Sequence, residues 1–221
     1  KWIVSRLEIL NQELVSQMDR YELTNAARLF SGFIDEFSNW YIRRSRRQFQ
    51  KPENKKPVRT RHNFADVGGS DAGGEKEEFS QTLYCVLINL CKLIAPFCPF
   101  LSEEIFQNLK NKKDKESVHL CDYPVPRKEL INKRLEKKME IVRGITTQAL
   151  AERAKAKIRV RQPLLELRIK NNELKREPEL LELIKEEVNV KRIVFGKSFK
   201  LNTKITRELK EEGIAREVIR Q

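Results

Sequence analysis

The stretch Ala154-Lys155-Ala156-Lys157-Ile158-Arg159-Val160-Arg161-Gln162-Pro163-Leu164-Leu165-Glu166-Leu167-Arg168-Ile169-Lys170 is where the chain changes its period. From Lys157 to Arg161 basic and apolar residues alternate strictly, and after Pro163 the alternation resumes from Leu165 to Lys170. Alternation sends successive side chains to opposite faces, so both segments are predicted to be extended. In the first, Lys157, Arg159 and Arg161 share one face at intervals of about 6.5–7 Å, with Ile158 and Val160 on the other. Downstream, the pattern predicts a helix over Pro178–Glu187, a strand over Val190–Phe195, a short strand over Phe199–Leu201 and a last helix over Ile205–Gln221.

Upstream of that change the period is helical. Ile3, Leu7, Leu10 and Leu14 recur at three and four, and after a turn near Asp19 so do Leu23, Ala26, Ala27, Phe30, Phe33, Ile34, Phe37 and Tyr41. From Glu78 to Ala95 the chain is apolar nearly all round (Leu83, Val86, Leu87, Leu90, Leu93, Ile94), which marks a buried central helix. Pro96 and Pro99 end it, Phe100–Leu109 reads as a short helix, and Ser117–Tyr123 as an extended link. After Pro124 and Pro126 a polar helix is predicted over about 128–156, with Leu135, Met139, Val142 and Thr146 inward. Residues 50–78 carry Pro52, Pro57 and two Gly-Gly pairs without periodicity, and read as a long flexible loop. The expected fold is therefore mainly α: a helical bundle over 1–156, then a small α+β subdomain over 157–221.

Composition narrows the function. The 221 residues hold 45 Lys+Arg against 32 Asp+Glu, a net charge of +13, with 39% hydrophobic residues. No apolar run is long enough to span a bilayer, so no membrane is expected. No glycine-rich phosphate loop is present among only eight glycines, which argues against a self-contained nucleotide-binding enzyme. Cys85, Cys91, Cys98 and Cys121 lack the paired short spacings of a zinc site and read as reduced, buried thiols. His62 and His119 join no nucleophile–base set. Catalytic residues, cofactor and metal ligands are thus all expected to be absent from this chain.

The charge is concentrated. Residues 38–62 hold nine basic side chains against Glu53 alone, and residues 152–161 hold five against Glu152, so the two stretches supply 12 of the 13 net charges. Two basic blocks point to a polyanionic partner rather than to general solubility. On a wheel of about 100° per residue, Tyr41 and Arg44 face the core, Arg43, Arg46 and Arg47 lie outward and Trp40 sits on the rim. Trp40, Arg43 and Arg47 then form a strip on which a base can stack while guanidinium forks take phosphates. A solvated helix face is the other reading of the same residues.

The string Asn39-Trp40-Tyr41-Ile42-Arg43-Arg44-Ser45-Arg46-Arg47 closely resembles the S-N-W-Y-[IV]-R-R-S-R segment of isoleucyl-tRNA synthetases, class I aminoacyl-tRNA synthetases. The likeness continues in order through Lys1–Leu7, Tyr21–Arg28, Leu93–Ile105 (an A-P-F-x-P-F-[LI]-[ST]-E-E segment shared with the valine and leucine branches), Ser117–Leu120, Ala154–Leu164 and Glu208–Glu217. It departs at Gln48-Phe49-Gln50, where the family often has a further cation and aromatic, and in the length of the 51–76 loop. The H-x-G-H and K-M-S-K-S signatures and an editing domain are absent.

The resemblance implies a helical bundle of the class I anticodon-binding type, part of an ATP- and Mg-dependent isoleucine–tRNA ligase whose catalytic core lies elsewhere in the same polypeptide. It implies isoleucine-accepting tRNA as the partner and a cytoplasmic setting. A monomer is the default expectation, while the opening Lys1-Trp2-Ile3 without Met and the lack of a stop signal after Ile205–Gln221 read as an excised piece, truncated near Gln221. The expected tRNA contacts are Trp40, Arg43, Arg46 and Arg47 on the anticodon arm, and Arg153, Lys155, Lys157, Arg159 and Arg161 on the backbone. The alternative from a different class is a stand-alone basic helical module that binds nucleic acid or a partner protein.

Overall fold

The computed structural model describes residues 1–45, 75–112, 114–170 and 172–218, with backbone only at 75–77. Arg46, Arg47 and most of the expected 50–78 loop lie outside the described residues. The chain divides into two compact units, Lys1–Asn132 and Lys133–Gln221. This division lies upstream of the expected boundary at 156/157, and the long polar helix packs on a helix of the second unit.

The first unit is built from α1 (Trp2–Asp19), α2 (Leu23–Glu36, continued by a π-helical turn Phe37–Ile42), α3 (Glu75–Ile94) and α4 (Pro99–Leu109). Helix α3 starts inside the expected loop, where Glu75-Lys76-Glu77-Glu78 already favours helix. Ile3, Leu7, Leu10 and Leu14 of α1 meet Phe30 and Phe33 of α2, and Cys85, Val86 and Leu93 of α3, in one buried cluster. Each fully buried side chain of this size contributes roughly 1.5–3 kcal/mol of transfer free energy. At the end of α1, Tyr21 takes a left-handed φ of 59° while Tyr21 N–H bonds Met18 O (2.9 Å) and Glu22 N–H bonds Gln17 O (2.9 Å). These are the paired bonds of a Schellman stop, here without glycine.

The segment 117–132 is strapped to the bundle by polar groups. The carboxylate of Glu8, 3% exposed on α1, accepts from Arg127 N–H (2.9 Å) and from the Arg127 guanidinium (3.3 Å). Ser5 Oγ accepts from Asn132 N–H (3.0 Å). A carboxylate this deep is tolerated because it is paired and hydrogen-bonded. The expected extended link over 117–123 contains a 3₁₀ turn, Val118–Leu120, whose entry the Ser117 side chain caps. Among the cysteines, Cys85 and Cys91 are buried, and burial pushes the Cys91 thiol up to about 11. Cys98 is exposed, contrary to expectation, because it sits at the cap position between the two prolines, outside the core-facing run of α3.

The second unit comprises α5 (Lys133–Lys155), β1 (Leu164–Ile169), α6 (Pro178–Val188), β2 (Val190–Phe195), β3 (Lys200–Leu201) and α7 (Arg207–Val218). Its sheet has the order β2-β1-β3, with β1 parallel to β2 (Leu164 opposite Val190, Ile169 opposite Phe195) and antiparallel to β3. Parallel neighbours need a crossover, and α6 supplies it. Pro178 opens α6 and Asn189, in the left-handed region at φ 54°, closes it. Leu164, Leu167, Ile169, Ile184 and Val188 are fully buried.

Candidate nucleic-acid interface

The first basic block begins on the π-helical turn. Phe33 stacks on Phe37 and Phe37 on Tyr41, with centroids 5.9 Å apart in both pairs, and Tyr41 meets Phe79 of α3 at 5.2 Å. This ladder at four-residue spacing fixes the inner side of the segment. Burial pushes the Tyr41 phenol well above its usual range, with the Glu78 carboxylate adding to the effect against a hydrogen bond to Thr82, so the ring stays neutral. Tyr41 and Ile42 pack against the core, whereas Trp40, half-buried, does not belong to that cluster.

Arg43 is exposed. Its backbone N–H reaches Ser38 O, five residues back, as a π turn requires. Its Nε donates to Asn39 O at 2.7 Å, which holds the guanidinium beside the widened turn. The wheel of about 100° per residue therefore misplaces angles here, since a π turn holds more residues than an α turn. Such single π turns within α-helices are frequent at functional sites. Of the four residues expected to contact the anticodon arm, Trp40 and Arg43 are on the surface, and Arg46 and Arg47 lie outside the described residues.

The second block departs from expectation in two ways. Lys157–Arg161 is a turn, not an edge strand. Helix α5 ends in a Schellman stop, with Lys157 N–H on Ala154 O (3.0 Å), Ile158 N–H on Arg153 O (3.0 Å) and Lys157 left-handed at φ 54°. The chain then turns so that four successive carbonyls are taken by two side chains. Arg153 Nη1 donates to Arg159 O (3.0 Å) and Gln162 O (3.0 Å), and Asn189 Nδ2 donates to Val160 O (2.9 Å) and Arg161 O (2.8 Å). With its carbonyls capped from within, the segment has no need of a strand partner.

The other departure is Arg153, which is 1% exposed and is therefore not a backbone contact for a polyanion. Besides its two bonds to the turn, its Nη2 donates to Asn189 O (2.9 Å), so it ties the basic turn to the end of α6. Burial lowers its guanidinium to about 10, which leaves it charged at neutral pH.

The remaining cations of this block are on the surface. Lys155 pairs with Glu152 one turn back (2.8 Å), a hydrogen bond that raises its ammonium above the ordinary value. Arg159 and Arg161 both approach Glu217 of α7, each at 3.6 Å. Lys157 is exposed at the turn's first position. Sequence reasoning missed Asn189 and Gln162 as the positioning residues of this turn. Asn directly after a helix and before a strand was a readable signal for a left-handed cap, whereas nothing local marks Gln162 as the side chain that bonds Leu209 O (2.6 Å) on α7.

Among the described residues, no group of three His, Cys, Asp or Glu side chains is placed to hold a metal ion, and no helix is long and apolar enough to cross a membrane.

Comparison with known proteins adds the context for these surfaces. Residues 1–169 match the family described as the anticodon-binding domain of tRNA ligase. The isoleucine–tRNA ligase of Dehalococcoides mccartyi (strain CBDB1) is 38% identical over 200 residues, 88% of this chain and 18% of that protein. The isoleucine–tRNA ligase of Treponema pallidum (strain Nichols) is 36% identical over 198 residues, 88% of this chain and 16% of the relative. That of Protochlamydia amoebophila (strain UWE25) is 38% identical over 203 residues, 90% and 18% respectively. The chain thus spans less than a fifth of the length of these relatives.

Proposed function

Because the chain belongs to the anticodon-binding domain family of tRNA ligases, we propose that it is the tRNA-holding portion of an isoleucine-specific ligase. The observation that carries this reading is the match to isoleucine–tRNA ligases along 88–90% of the chain at 36–38% identity. In the whole protein, a catalytic core in the same polypeptide would activate isoleucine with ATP and Mg and charge its tRNA. This chain would hold the RNA and need no cofactor of its own, within a cytoplasmic, monomeric enzyme.

The physical basis is the division of labour at a single-stranded loop. Unstacked anticodon bases offer faces and edges to aromatic and guanidinium groups, while lysines and arginines hold the flanking phosphates. Trp40 offers a half-buried indole beside the exposed Arg43, and Lys155, Lys157, Arg159 and Arg161 offer cations on a second surface. Arg46 and Arg47 extend the first of these in the sequence. Held at a distance from the reaction, the anticodon arm orients the acceptor end by fixing the whole molecule.

The test is equilibrium binding of this chain to isoleucine-accepting tRNA and to the same tRNA with a swapped anticodon, across a salt series. Affinity that falls with salt and drops for the swapped anticodon supports the reading. Equal binding to both leaves a phosphate clamp without anticodon recognition. No binding to either overturns it.

A further inference from the structure

Between the basic turn and α7 lies an open groove of about 540 Å³, within the size range of small-molecule sites. Its walls are Ile158 from the turn, Ile205 ahead of α7, and Ile214 and Val218 on α7. Ile205, Ile214 and Val218 are 44%, 56% and 63% exposed, an apolar surface that neither the sheet nor α6 covers. Lys157 and Arg159 stand at its rim, with Glu217 between α7 and the two arginines of the turn. We propose that this groove takes one unstacked nucleotide of a single-stranded RNA segment, its base on the aliphatic wall and its flanking phosphates on Lys157, Arg159 and Arg161. The proposal rests on the tRNA-binding reading above and names a site and a ligand piece for it.

Charge selects the occupant. Lys157 and Arg159 line the groove against Glu217, and Arg161 reaches the same carboxylate from outside it, so the surroundings are net positive and favour a polyanion. The apolar wall beside those cations suits a base between phosphates, whereas a wholly acidic peptide would leave it unused. The aliphatic wall suits the face of a base, and a guanidinium plane such as that of Arg159 can close over its other face. Arg159 has room to do so, its side chain being 83% exposed.

The backbone adds an independent sign. Lys157 occupies the left-handed stop of α5, a position that glycine fills without strain. A lysine there costs stability, and strained positions cluster where a side chain is used for binding. The turn that carries the cations is also rigidly prepared. Arg153 and Asn189 cap its four carbonyls, which holds the turn's backbone in place. On the other wall, Gly213 lets α7 approach, since a Cβ there would run into Gln162 Oε1, and Gln162 Nε2 holds Leu209 O at 2.6 Å. Little ordering is then left to be done on binding.

The experiment titrates the chain, Ile214→Ser and Glu217→Gln with isoleucine-accepting tRNA, with a single-stranded RNA about ten nucleotides long, and with an abasic version of that oligomer. Ile214 is on the surface, so its change leaves folding intact, which circular dichroism checks. Ile214→Ser should weaken binding of the intact oligomer several-fold, as loss of part of an apolar contact predicts, and leave the abasic oligomer unaffected. Glu217→Gln removes a carboxylate that lines the groove and should tighten both oligomers several-fold. If Ile214→Ser and the abasic oligomer both behave as the unmodified pair while binding stays salt-dependent, the turn is a phosphate clamp without a base pocket, and the inference fails while the tRNA-binding reading stands. Absence of binding to tRNA at low salt overturns both.

Discussion

The two basic stretches look alike in sequence and are used differently by the fold. In the first, Arg43 stays at the surface, and its Nε donates to a carbonyl of its own turn, Asn39 O. In the second, Arg153 is buried and gives three bonds to carbonyls of two distant segments. The difference lies in the carbonyls, not in the arginines. A helical segment satisfies its own acceptors, so a cation on it is not drawn inward. A tight turn leaves several acceptors open, and the nearest fork-shaped donor is drawn in to meet them.

The sharpest way to break that contrast is Arg153→Ala. It leaves the Arg159, Gln162 and Asn189 carbonyls without these donors in a buried site, and the second unit should lose about 3 kcal/mol. Arg153→Lys should recover little, because an ammonium cannot reproduce the planar fork. Arg43→Ala, by contrast, should change stability by no more than about 0.5 kcal/mol. Both tryptophans, Trp2 and Trp40, belong to the first unit. Their fluorescence therefore follows that unit, while hydrogen exchange at the β1 amides follows the second. Arg153→Ala should strip protection from β1 and leave the tryptophan transition in place. Equal losses of stability in the two variants would sink the comparison.

The next effect is on binding alone. Trp40→Ala should reduce tRNA affinity about tenfold, within the range for one stacked base, with the thermal transition nearly unmoved, because the indole lies outside the core cluster. A large fall in melting temperature with unchanged affinity would assign Trp40 to packing instead.

The bundle was legible because its core side chains repeat at helical spacing: Ile3, Leu7, Leu10 and Leu14 are all buried as the period demands. Strand β1 was legible for the corresponding reason at period two, with Leu167 and Ile169 both buried, and Pro178 marked the start of α6. Lys157–Arg161 misled because alternation is a statement about neighbours, whereas strand formation needs a ladder, and here Arg153 and Asn189 claimed the carbonyls first. No local pattern shows that Arg153 turns inward while Arg159, six residues on, stays out. The same limit hides the π turn, whose extra residue per turn leaves composition unchanged. Of the candidate site, the residue types were readable; which cations serve the fold and which remain outside was not.

Acid should separate the two units more gently. Glu103 in the first unit is held below the ordinary carboxylate value by a Gln107 hydrogen bond, helped by Val118 N–H and Ser117. In the second, hydrogen bonds from Lys138 and Lys191 do the same for Glu177 and Glu212. A depressed folded value means that the unfolded chain binds protons first, so this stabilisation is complete above about pH 4.5 and is lost as pH falls through the folded values. With two such groups to one, β1 protection should fade on acidification before the tryptophan transition shifts. The reverse order would show that other groups govern acid unfolding.

The smallest predicted change tests whether Lys157 is placed for the fold or for the ligand. Both α1 and α5 end in a Schellman stop with a side chain where glycine is easiest, at Tyr21 and Lys157. Replacing Lys157 by glycine relieves the left-handed penalty of about 1 kcal/mol or more but restores chain entropy to the unfolded state, so a net gain of about 0.5 kcal/mol is expected. If the lysine holds an RNA phosphate, the same variant should bind tRNA several-fold more weakly and lower the slope of log affinity against log salt by about 0.7–0.9. Stability and affinity would then move in opposite directions at one residue, as expected of a position strained for binding. If both rise, or if affinity and its salt slope are unchanged, Lys157 is a helix stop and nothing more.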